Sequence, residues 1–220
     1  MKIIYEILKD IRYTDTRIGS ASTREFSSGN TLPLCGIPHG NNYLTLMTRN
    51  DSSFFFHPDD ENLISLRLTH QPSPWMGDFS HFQIAPVFDK EETLYDKNKS
   101  IFRPNFLEVS YKNSSKLRAS MDNSSGIINF KKVSSFKIFA DGLVLDKSSD
   151  SIEGYVINYA GCEDKNLKMY IKIGLDVDFD FKKDENIYYV KPSSEDFSLI
   201  FATSFISEGQ AQLNLSLIHI

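Results

Sequence analysis

The only tryptophan of this 220-residue chain, Trp75, lies in a segment rich in hydrogen-bonding side chains. From Arg67 to Phe79 the segment reads Arg-Leu-Thr-His-Gln-Pro-Ser-Pro-Trp-Met-Gly-Asp-Phe, which places His70 and Asp78 near the indole in sequence. An aromatic plane flanked by polar groups suits a sugar, because the C–H face of the sugar ring lies on the indole while its hydroxyls meet the polar groups. The segment is therefore compatible with a sugar-binding loop, but taken alone it slightly favours a core tryptophan beneath a proline-rich turn.

The residues before Trp75 predict a strand that runs into a rigid loop. Leucine alternates with polar side chains over Leu66–Thr69, which is typical of a strand with one buried face. Pro72 and Pro74 lack the backbone N–H that a sheet needs, so the strand must end before them. Gly77 allows a backbone turn that other residues resist.

A second long loop is predicted near the N-terminus. Residues 15–42 are rich in Gly, Ser, Thr and Asn, which favours irregular backbone. Loops of this length are uncommon in compact domains and are often functional. We expect an ordered loop, anchored by Leu32, Leu34, Cys35 and Ile37, and the alternative is a mobile surface loop.

The rest of the chain predicts an all-β fold. Short alternating segments are separated by turn signals, and about fifteen strands exceed one simple open sheet, so we expect a large two-sheet β-sandwich. Ser207 followed by Gln210 is typical of a capping box and predicts the start of a helix. The stretch 88–103 is charged and is predicted to be a surface excursion. The predicted strands are 2–8, 43–48, 63–69, 82–88, 106–111, 116–121, 126–130, 135–140, 143–146, 154–160, 167–173, 188–192 and 197–204.

Composition disfavours several classes of function. Hydrophobic residues make up 40% of the chain and aromatic residues 13%, which is enough for a sizeable core. The formal net charge of −5 and the lack of a basic block disfavour nucleic-acid binding. Apolar runs such as Ile200–Ile206 are too short to cross a membrane, and the N-terminus lacks signal-peptide features, so we expect a cytoplasmic protein. Cys35 and Cys162 are predicted to be buried free thiols.

The sequence lacks the usual catalytic and metal-binding motifs of other classes. It has no Gly-x-Ser-x-Gly elbow, no phosphate-binding Gly-x-x-x-x-Gly-Lys loop and no His-Glu-x-x-His. Cys35 and His39 lack a third group that would orient them for nucleophilic catalysis. The acidic run Asp59–Glu61 predicts a solvated turn. Asp176–Asp180 predicts the polar face of a strand, because Phe181 stands where a calcium loop requires glycine, and we expect no metal site in this chain.

Several stretches, taken together and in order, resemble glycoside hydrolase family 92, the calcium-dependent exo-acting α-mannosidases. The segment Arg67–Phe79 resembles a signature of that family, whereas residues 105–195 match only as a strand pattern. The other matching stretches are Asp15-Thr-Arg-Ile-Gly19, Gly29-Asn-Thr-Leu-Pro33, Ile37-Pro-His-Gly40, Phe55-Phe-His-Pro58 and Ala202-Thr-Ser-Phe-Ile-Ser207 with Gln210-Ala211.

The resemblance implies an N-terminal β-sandwich joined by a linker helix to a larger (α/α)6 domain. It also implies that terminal α-linked mannose is removed from a glycan with inversion, and that the acid, the base and the calcium ligands belong mainly to the helical domain. We therefore expect residues 1–206 to form the sandwich and 207–214 to begin the linker helix to a missing catalytic domain. Residues 215–220 are similar to the translation of a common sequencing adapter and are expected to be an assembly artefact. The fragment is expected to contain no catalytic residue and to hydrolyse nothing by itself.

Within this family the chain is expected to supply one wall of the substrate pocket. Trp75 is the predicted platform, Gly77 lets the backbone approach the sugar, and His70 and Asp78 bind hydroxyls or brace the loop. Alternatively, Asp78 only caps the turn and His70 is a hydrogen-bonded histidine at a strand end. The backbone near Leu34 lies on the opposite side. The predicted substrate-binding residues are Asn30, Thr31, Leu34, Phe54, His70, Trp75, Gly77 and Asp78.

Two departures from the family pattern lie near the expected site. Phe54 stands where the family is expected to carry Trp, and His39 stands where Phe is usual. Both affect the expected stacking strength and substrate preference. Two other functions remain open: a self-contained carbohydrate-binding module, which predicts saturable mannose binding by the chain alone, and a purely structural sandwich.

Overall fold

The computed structural model describes residues 14–21, 31–50, 55–70, 78, 81–88, 93–157 and 166–217. Within these ranges the chain forms fourteen β-strands and one α-helix. The strands are β1 (Tyr43–Met47), β2 (Ser65–Thr69), β3 (Phe82–Val87), β4 (Ile101–Arg103), β5 (Phe106–Ser110), β6 (Lys116–Met121), β7 (Ser125–Lys131), β8 (Ser135–Phe139), β9 (Leu143–Ser148), β10 (Ser151–Ile157), β11 (Lys168–Leu175), β12 (Phe179–Asp184), β13 (Ile187–Pro192) and β14 (Phe197–Ser204), and the helix is α1 (Glu208–Leu217).

The strands form two antiparallel sheets, which confirms the predicted β-sandwich. One sheet has six strands in the order β1-β2-β3-β8-β13-β12, and the other has eight in the order β4-β5-β6-β7-β14-β11-β10-β9. Buried and partly exposed residues alternate along strands such as β11, because successive side chains of a strand point to opposite faces. The two inner faces thereby enclose one shared core.

Three stacked aromatic rings join the two sheets at one end of the sandwich. Phe136 of β8 lies 5.4 Å from Phe130 of β7 and 5.6 Å from Phe197 of β14, measured between ring centroids. Phe130 and Phe197 are 4.7 Å apart within the eight-stranded sheet. We call this end, where β7 ends and β8 and β14 begin, the aromatic end. All three rings are buried, so they fix how the sheets pack against each other there.

Strand β2 differs from the predicted strand with one buried face, because all five of its residues are buried. Leu66 and Leu68 belong to the core, while Arg67 and Thr69 lie on the opposite, outer face of the six-stranded sheet. Phe55 and Asp78 contact this outer face and cover it. The expectation of a solvated outer face was therefore wrong, since strand periodicity does not reveal which loops fold back over a sheet.

Two strands differ from the sequence prediction. The stretch 88–103, predicted to be a surface excursion, contains the short strand β4, and Phe102 and Tyr95 are 2% and 1% exposed. Their apolar side chains are separated by charged residues, which hid the strand. Strand β12 begins at Phe179, three residues after Asp176, where the predicted polar strand face begins. The predicted strand 2–8 lies outside the described residues.

The helix α1 begins where the sequence predicts. The hydroxyl of Ser207 accepts a hydrogen bond from the backbone N–H of Gln210 at 3.1 Å, which is an N-cap. The amide of Gln210 donates to Asn214 instead of reaching back to Ser207, so the reciprocal half of the capping box is not formed. Ala211 and Leu215 are buried, and the helix continues to Leu217, beyond the predicted linker segment 207–214. In the described part of the chain, no helix has the length and apolar character needed to span a membrane.

Candidate functional site

The two long early loops meet at the end of the sandwich opposite the aromatic end. Strand β1 begins there and β2 ends there, because Tyr43 pairs with Thr69. The Nδ1 atom of His70, just after β2, contacts the backbone carbonyl of Asn41, just before β1. We call this region the loop end and define it by residues 36–42, 67–70, 78, 81, 122–124 and 203–207.

A buried ion pair joins strand β2 to Asp78 of the signature segment. The Nε and Nη2 atoms of Arg67 donate to Oδ2 of Asp78 at 3.0 and 2.8 Å. The hydroxyl of Thr69 donates to Oδ1 of the same carboxylate at 2.7 Å. The Arg67 and Asp78 side chains are only 9% and 5% exposed. Both oxygens of Asp78 are therefore already bonded inside the protein, which favours the bracing role that the sequence left open for this residue.

Arg67 is held from its other sides by apolar groups. Its guanidinium carbon lies 4.2 Å from the centroid of the Phe55 ring, which is a cation–π contact. Its Nη1 atom lies 3.8 Å from the sulfur of Met47. Burial lowers the pKa of Arg67 from its ordinary value of 12.5, and the charge of Asp78 opposes that effect. The positive charge of Arg67 is thus buried together with the negative charge of Asp78 that balances it, as a buried charge requires.

His81 stands beside this pair, at the point where the loop joins β3. Its Nδ1 atom is 4.0 Å from Oδ2 of Asp78. Burial and then the charge of Arg67 lower the pKa of His81 from 6.5 to about 4, while Asp78 and Asp141 act in the opposite direction. The imidazole is therefore neutral at pH 7, and the loop end keeps one unprotonated histidine next to its ion pair.

His70, a predicted site residue, lies at the junction of the two loops. Its ring packs against Phe205 with 4.6 Å between centroids. The contact with the Asn41 carbonyl ties the start of one loop to the other. His70 is therefore positioned both by an aromatic neighbour and by the backbone. This is the arrangement expected of a hydrogen-bonded histidine at a strand end as well as of a residue that lines a pocket.

A chain of polar contacts connects this junction to the helix α1. The backbone N–H of Asn41 donates to the carbonyl of Asn123 at 3.0 Å. The neighbouring Asn42 is fully buried and donates to the hydroxyl of Thr203, whose carbonyl accepts a hydrogen bond from Asn214 of α1 at 2.9 Å. The position of the loop 36–42 and that of α1 therefore depend on the same buried residues.

A groove of about 770 Å³ opens beside this polar chain. It lies between α1 and the turn that connects β6 to β7, and both polar and apolar groups form its walls. Its lining includes Ile37, Asn105, Asp122, Asn123, Ser124 and Asn214.

Of the other predicted site residues, Thr31 and Leu34 lie in the described part of the chain. Thr31 donates its hydroxyl to the carbonyl of Ile18 at 2.8 Å and its N–H to Gly19 at 3.0 Å, so it joins the two arms of the early loop. Leu34 precedes Cys35, which forms a bridge to Leu44 of β1. Asn30, Phe54, Trp75 and Gly77 lie outside the described residues, as does Cys162.

Several residues of the loop end were not predicted as parts of the site. The sequence shows Arg67 and Thr69 as the outward-facing residues of a strand, with no sign that a carboxylate eleven positions beyond Arg67 returns to them. One usable signal was present, because an arginine within a strand needs a buried partner if the outer face of that strand is covered. His39 also adopts a left-handed backbone conformation, with φ of 60°, which histidine tolerates better than most residues do.

Carboxylates elsewhere do not assemble a metal site in the described part of the chain. No group of three or more His, Cys, Asp or Glu side chains stands close enough to hold a metal ion among these residues. In the acidic run, Asp59 and Glu61 are 85% and 62% exposed, as predicted for a solvated turn. Asp60 instead pairs with Arg49 at 2.7 Å, and the hydrogen bonds from Arg49 lower the pKa of that carboxyl.

The fold and the loop end define the class of this protein as a two-sheet β-sandwich with a loop-built end next to a C-terminal helix. The family model described as Glycosyl hydrolase family 92 N-terminal domain matches residues 13–214. The chain therefore belongs to glycoside hydrolase family 92 and corresponds to its N-terminal domain. No curated protein matches the chain.

Solved structures of family GH92 proteins share this fold. The inverting mannosidase BT2199 from Bacteroides thetaiotaomicron VPI-5482 is 23% identical, with a TM-score of 0.81 over 94% of this chain and 33% of that chain. The α-mannosidase BT3965 from Bacteroides thetaiotaomicron is 16% identical, with a TM-score of 0.75 over 94% and 35%. The GH92 glycosyl hydrolase ccman5 is 11% identical, with a TM-score of 0.69 over 91% and 33%. The chain thus spans about a third of the length of these structures.

Proposed function

We propose that this chain is the substrate-pocket-contributing, N-terminal domain of a glycoside hydrolase that removes terminal α-linked mannose with inversion. The observation that carries the proposal is the junction of the two long loops at His70 and Asn41, in a chain that belongs to family 92. A pocket wall needs loops held in place at one edge of a rigid scaffold, and the loop end meets that requirement.

The proposed wall is built from the signature loop and the early loop. Trp75 supplies the apolar face on which the sugar ring lies, and Gly77 allows close approach of the backbone. His70 presents its imidazole at the loop junction. Phe54 adds aromatic surface. The early loop contributes the opposite side through Asn30, Thr31 and Leu34.

Proton transfer is assigned to a further domain that follows α1. An inverting glycosidase needs two carboxyl groups about 6.5–9.5 Å apart on either side of the scissile bond. Bound calcium would supply positive charge for substrate oxygens, and its ligands are assigned to the same further domain. Two observations support a missing partner surface: the solved relatives are about three times as long, and Ile206 and Leu213 at α1 are 79% and 58% exposed.

Activity assays on two proteins test the proposal. The 220-residue chain is expected to release no mannose from 4-nitrophenyl α-mannoside or from α-linked manno-disaccharides. A longer protein, expressed from the gene with its downstream sequence, is expected to release β-mannose as the first anomer seen by ¹H NMR. Mannose release by the purified 220-residue chain would contradict the division of labour, and an inactive longer protein would contradict the glycosidase assignment.

Substitution of Trp75 tests the pocket wall directly. In the longer protein, Trp75→Ala is expected to lower kcat/KM by about tenfold, which corresponds to about 1.4 kcal/mol of lost stacking. The matched control is Tyr155→Ala, which removes an aromatic side chain of β10 that packs against Tyr170. Equal activity of the Trp75→Ala and Tyr155→Ala proteins would contradict the pocket role. Saturable binding of mannose by the short chain would favour a self-contained binding module instead.

A further inference from the structure

We propose that Arg67, Thr69 and Asp78 form a clasp that sets the position of the loop carrying Trp75, and that Asp78 is a positioning residue instead of a sugar ligand. The sugar role of that loop rests on the proposed function, but the clasp does not. Its three members are all among the described residues.

The clasp joins the two ends of one loop. Arg67 and Thr69 lie on β2, immediately before the loop, and Asp78 lies eleven positions beyond Arg67, near the start of β3. Strands β2 and β3 already pair through Leu68 and Phe82, yet Asp78 contacts the outer face of the sheet, where Arg67 lies. The end of the loop is therefore held down on the sheet by side chains, in addition to the strand pairing.

The Asp78 carboxylate is buried and accepts three hydrogen bonds from the other two members of the clasp. Each oxygen of Asp78 accepts from the clasp, with the Arg67 nitrogens on one oxygen and the Thr69 hydroxyl on the other. The Asp78 side chain is 5% exposed and Thr69 is fully buried. A sugar hydroxyl is kept from this carboxylate mainly by that burial. Asp78 therefore acts on the site through the geometry of the loop.

A buried ion pair is a poor device for stability alone. Its desolvation cost often cancels its attraction, and apolar residues of similar size can replace such a pair with equal or greater stability. What the pair does supply is direction, because two N–H groups of Arg67 donate to one carboxylate oxygen and the Thr69 hydroxyl donates to the other, which together fix the orientation of the carboxylate. Replacing the clasp should therefore change the position of the loop without changing the stability of the sandwich. Loss of an ordinary packing contact would change both.

The fluorescence of Trp75 measures the position of the loop without interference, since the chain has no other tryptophan. The single variants Asp78→Asn and Arg67→Met leave part of the clasp unpaired and are expected to change both stability and Trp75 emission. The decisive protein is the triple variant Arg67→Met, Thr69→Val and Asp78→Leu, which replaces the whole clasp with apolar groups of similar size. We expect it to unfold in urea close to the wild-type midpoint while acrylamide quenching of Trp75 changes at least twofold.

The matched control removes a buried carboxylate elsewhere in the sandwich. Glu108 of β5 has a side chain that is 7% exposed and pairs with Arg118 at 2.5 Å and Lys116 at 3.1 Å. Glu108→Gln is expected to lower the urea midpoint and to leave Trp75 quenching within a tenth of the wild-type value. It therefore separates a general loss of stability from a change in the loop.

The proposal is overturned if the triple variant is stable and its Trp75 emission and quenching equal those of the wild type. If the triple variant does not fold, the test moves to Asp78→Asn at urea concentrations where that protein remains folded, and unchanged quenching there also overturns the proposal. Neither readout involves a sugar. A clasp that behaves as expected in a chain whose longer form has no glycosidase activity would therefore refute the proposed function and leave the clasp standing.

Discussion

Acidification from pH 7 to pH 4.5 is expected to destabilise the folded chain through one histidine, His81. In the folded chain its ring faces Arg67, Asp78 and Asp141, and its pKa is lowered to about 4, mainly by burial and then by the charge of Arg67. In the unfolded chain the same ring has its ordinary pKa of 6.5. Between these two values the unfolded chain binds a proton that the folded chain does not, so the free energy of unfolding must fall as the pH falls.

The expected loss between pH 7 and pH 4.5 is roughly 2 kcal/mol, because each pKa unit of difference is equivalent to about 1.4 kcal/mol over the interval in which only one state is protonated. The His81 side chain is 25% exposed, so water screens part of this effect and the expected loss is at most about this size. Carboxyl groups with lowered pKa, such as Glu108 and Glu153, have an ordinary pKa of 4.5, so their stabilising effect is lost mainly below this interval.

Urea unfolding of the wild type and His81→Gln at pH 7.0, 6.0, 5.0 and 4.5 measures this loss. The wild type is expected to lose up to about 2 kcal/mol more than His81→Gln across the series. His39→Gln, which removes an exposed histidine, is expected to keep the wild-type pH dependence. The reasoning is refuted if His81→Gln loses as much stability as the wild type on acidification.

Two further predictions concern the sandwich itself. Gly154→Ala is expected to cost more than about 3 kcal/mol or to prevent folding, because a Cβ atom there would lie 1.9 Å from the carbonyl oxygen of Val144. Gly174→Ala in the neighbouring strand meets only side-chain atoms at 3.4 Å or more and should leave the stability unchanged or raise it by up to about 1 kcal/mol. Thermal unfolding compares the two variants, and equal losses would contradict the steric explanation. Burial raises the pKa of the Cys35 thiol to about 12, so this thiol should be unreactive in the folded chain. In the Cys162→Ser variant at pH 8, the native chain should not react with a disulfide reagent, whereas the urea-unfolded chain should react fully. Rapid labelling of the native chain would contradict the burial of Cys35.

The strands were predictable where alternation of apolar and polar residues is uninterrupted. The pattern over Lys116–Met121 and Phe197–Ser204 predicts both strands with their observed bounds, because the sandwich core leaves one face of each to be filled with apolar side chains. Strand β4 was missed because it has only three residues and a single fully buried side chain, Phe102. A pattern of period two needs more residues than that to be distinguished from an irregular segment.

The candidate site was predictable in its location along the sequence but not in its contacts. The proline-rich segment correctly indicates that the strand ends at Thr69, and the described parts of the early loop, 14–21 and 31–42, contain no strand before β1. The partners of Asp78 could not be deduced, because they depend on the path by which a loop returns to the sheet. The contact between His70 and Asn41 likewise joins residues far apart in sequence, and no local pattern encodes it.

Stacked rings join the two sheets at the aromatic end, whereas hydrogen bonds from buried side chains hold the loops at the loop end. At the aromatic end, stacked rings exclude water and need no orientation beyond close packing. At the loop end, polar side chains of Asn42, Thr69, Asp78 and Thr203 are buried, although each costs free energy to remove from water. Hydrogen bonds fix the direction of the groups that they join, so these buried polar groups are suited to holding the loops in one arrangement. A pocket wall for a sugar has that need, because the hydroxyls of a sugar are recognised by position.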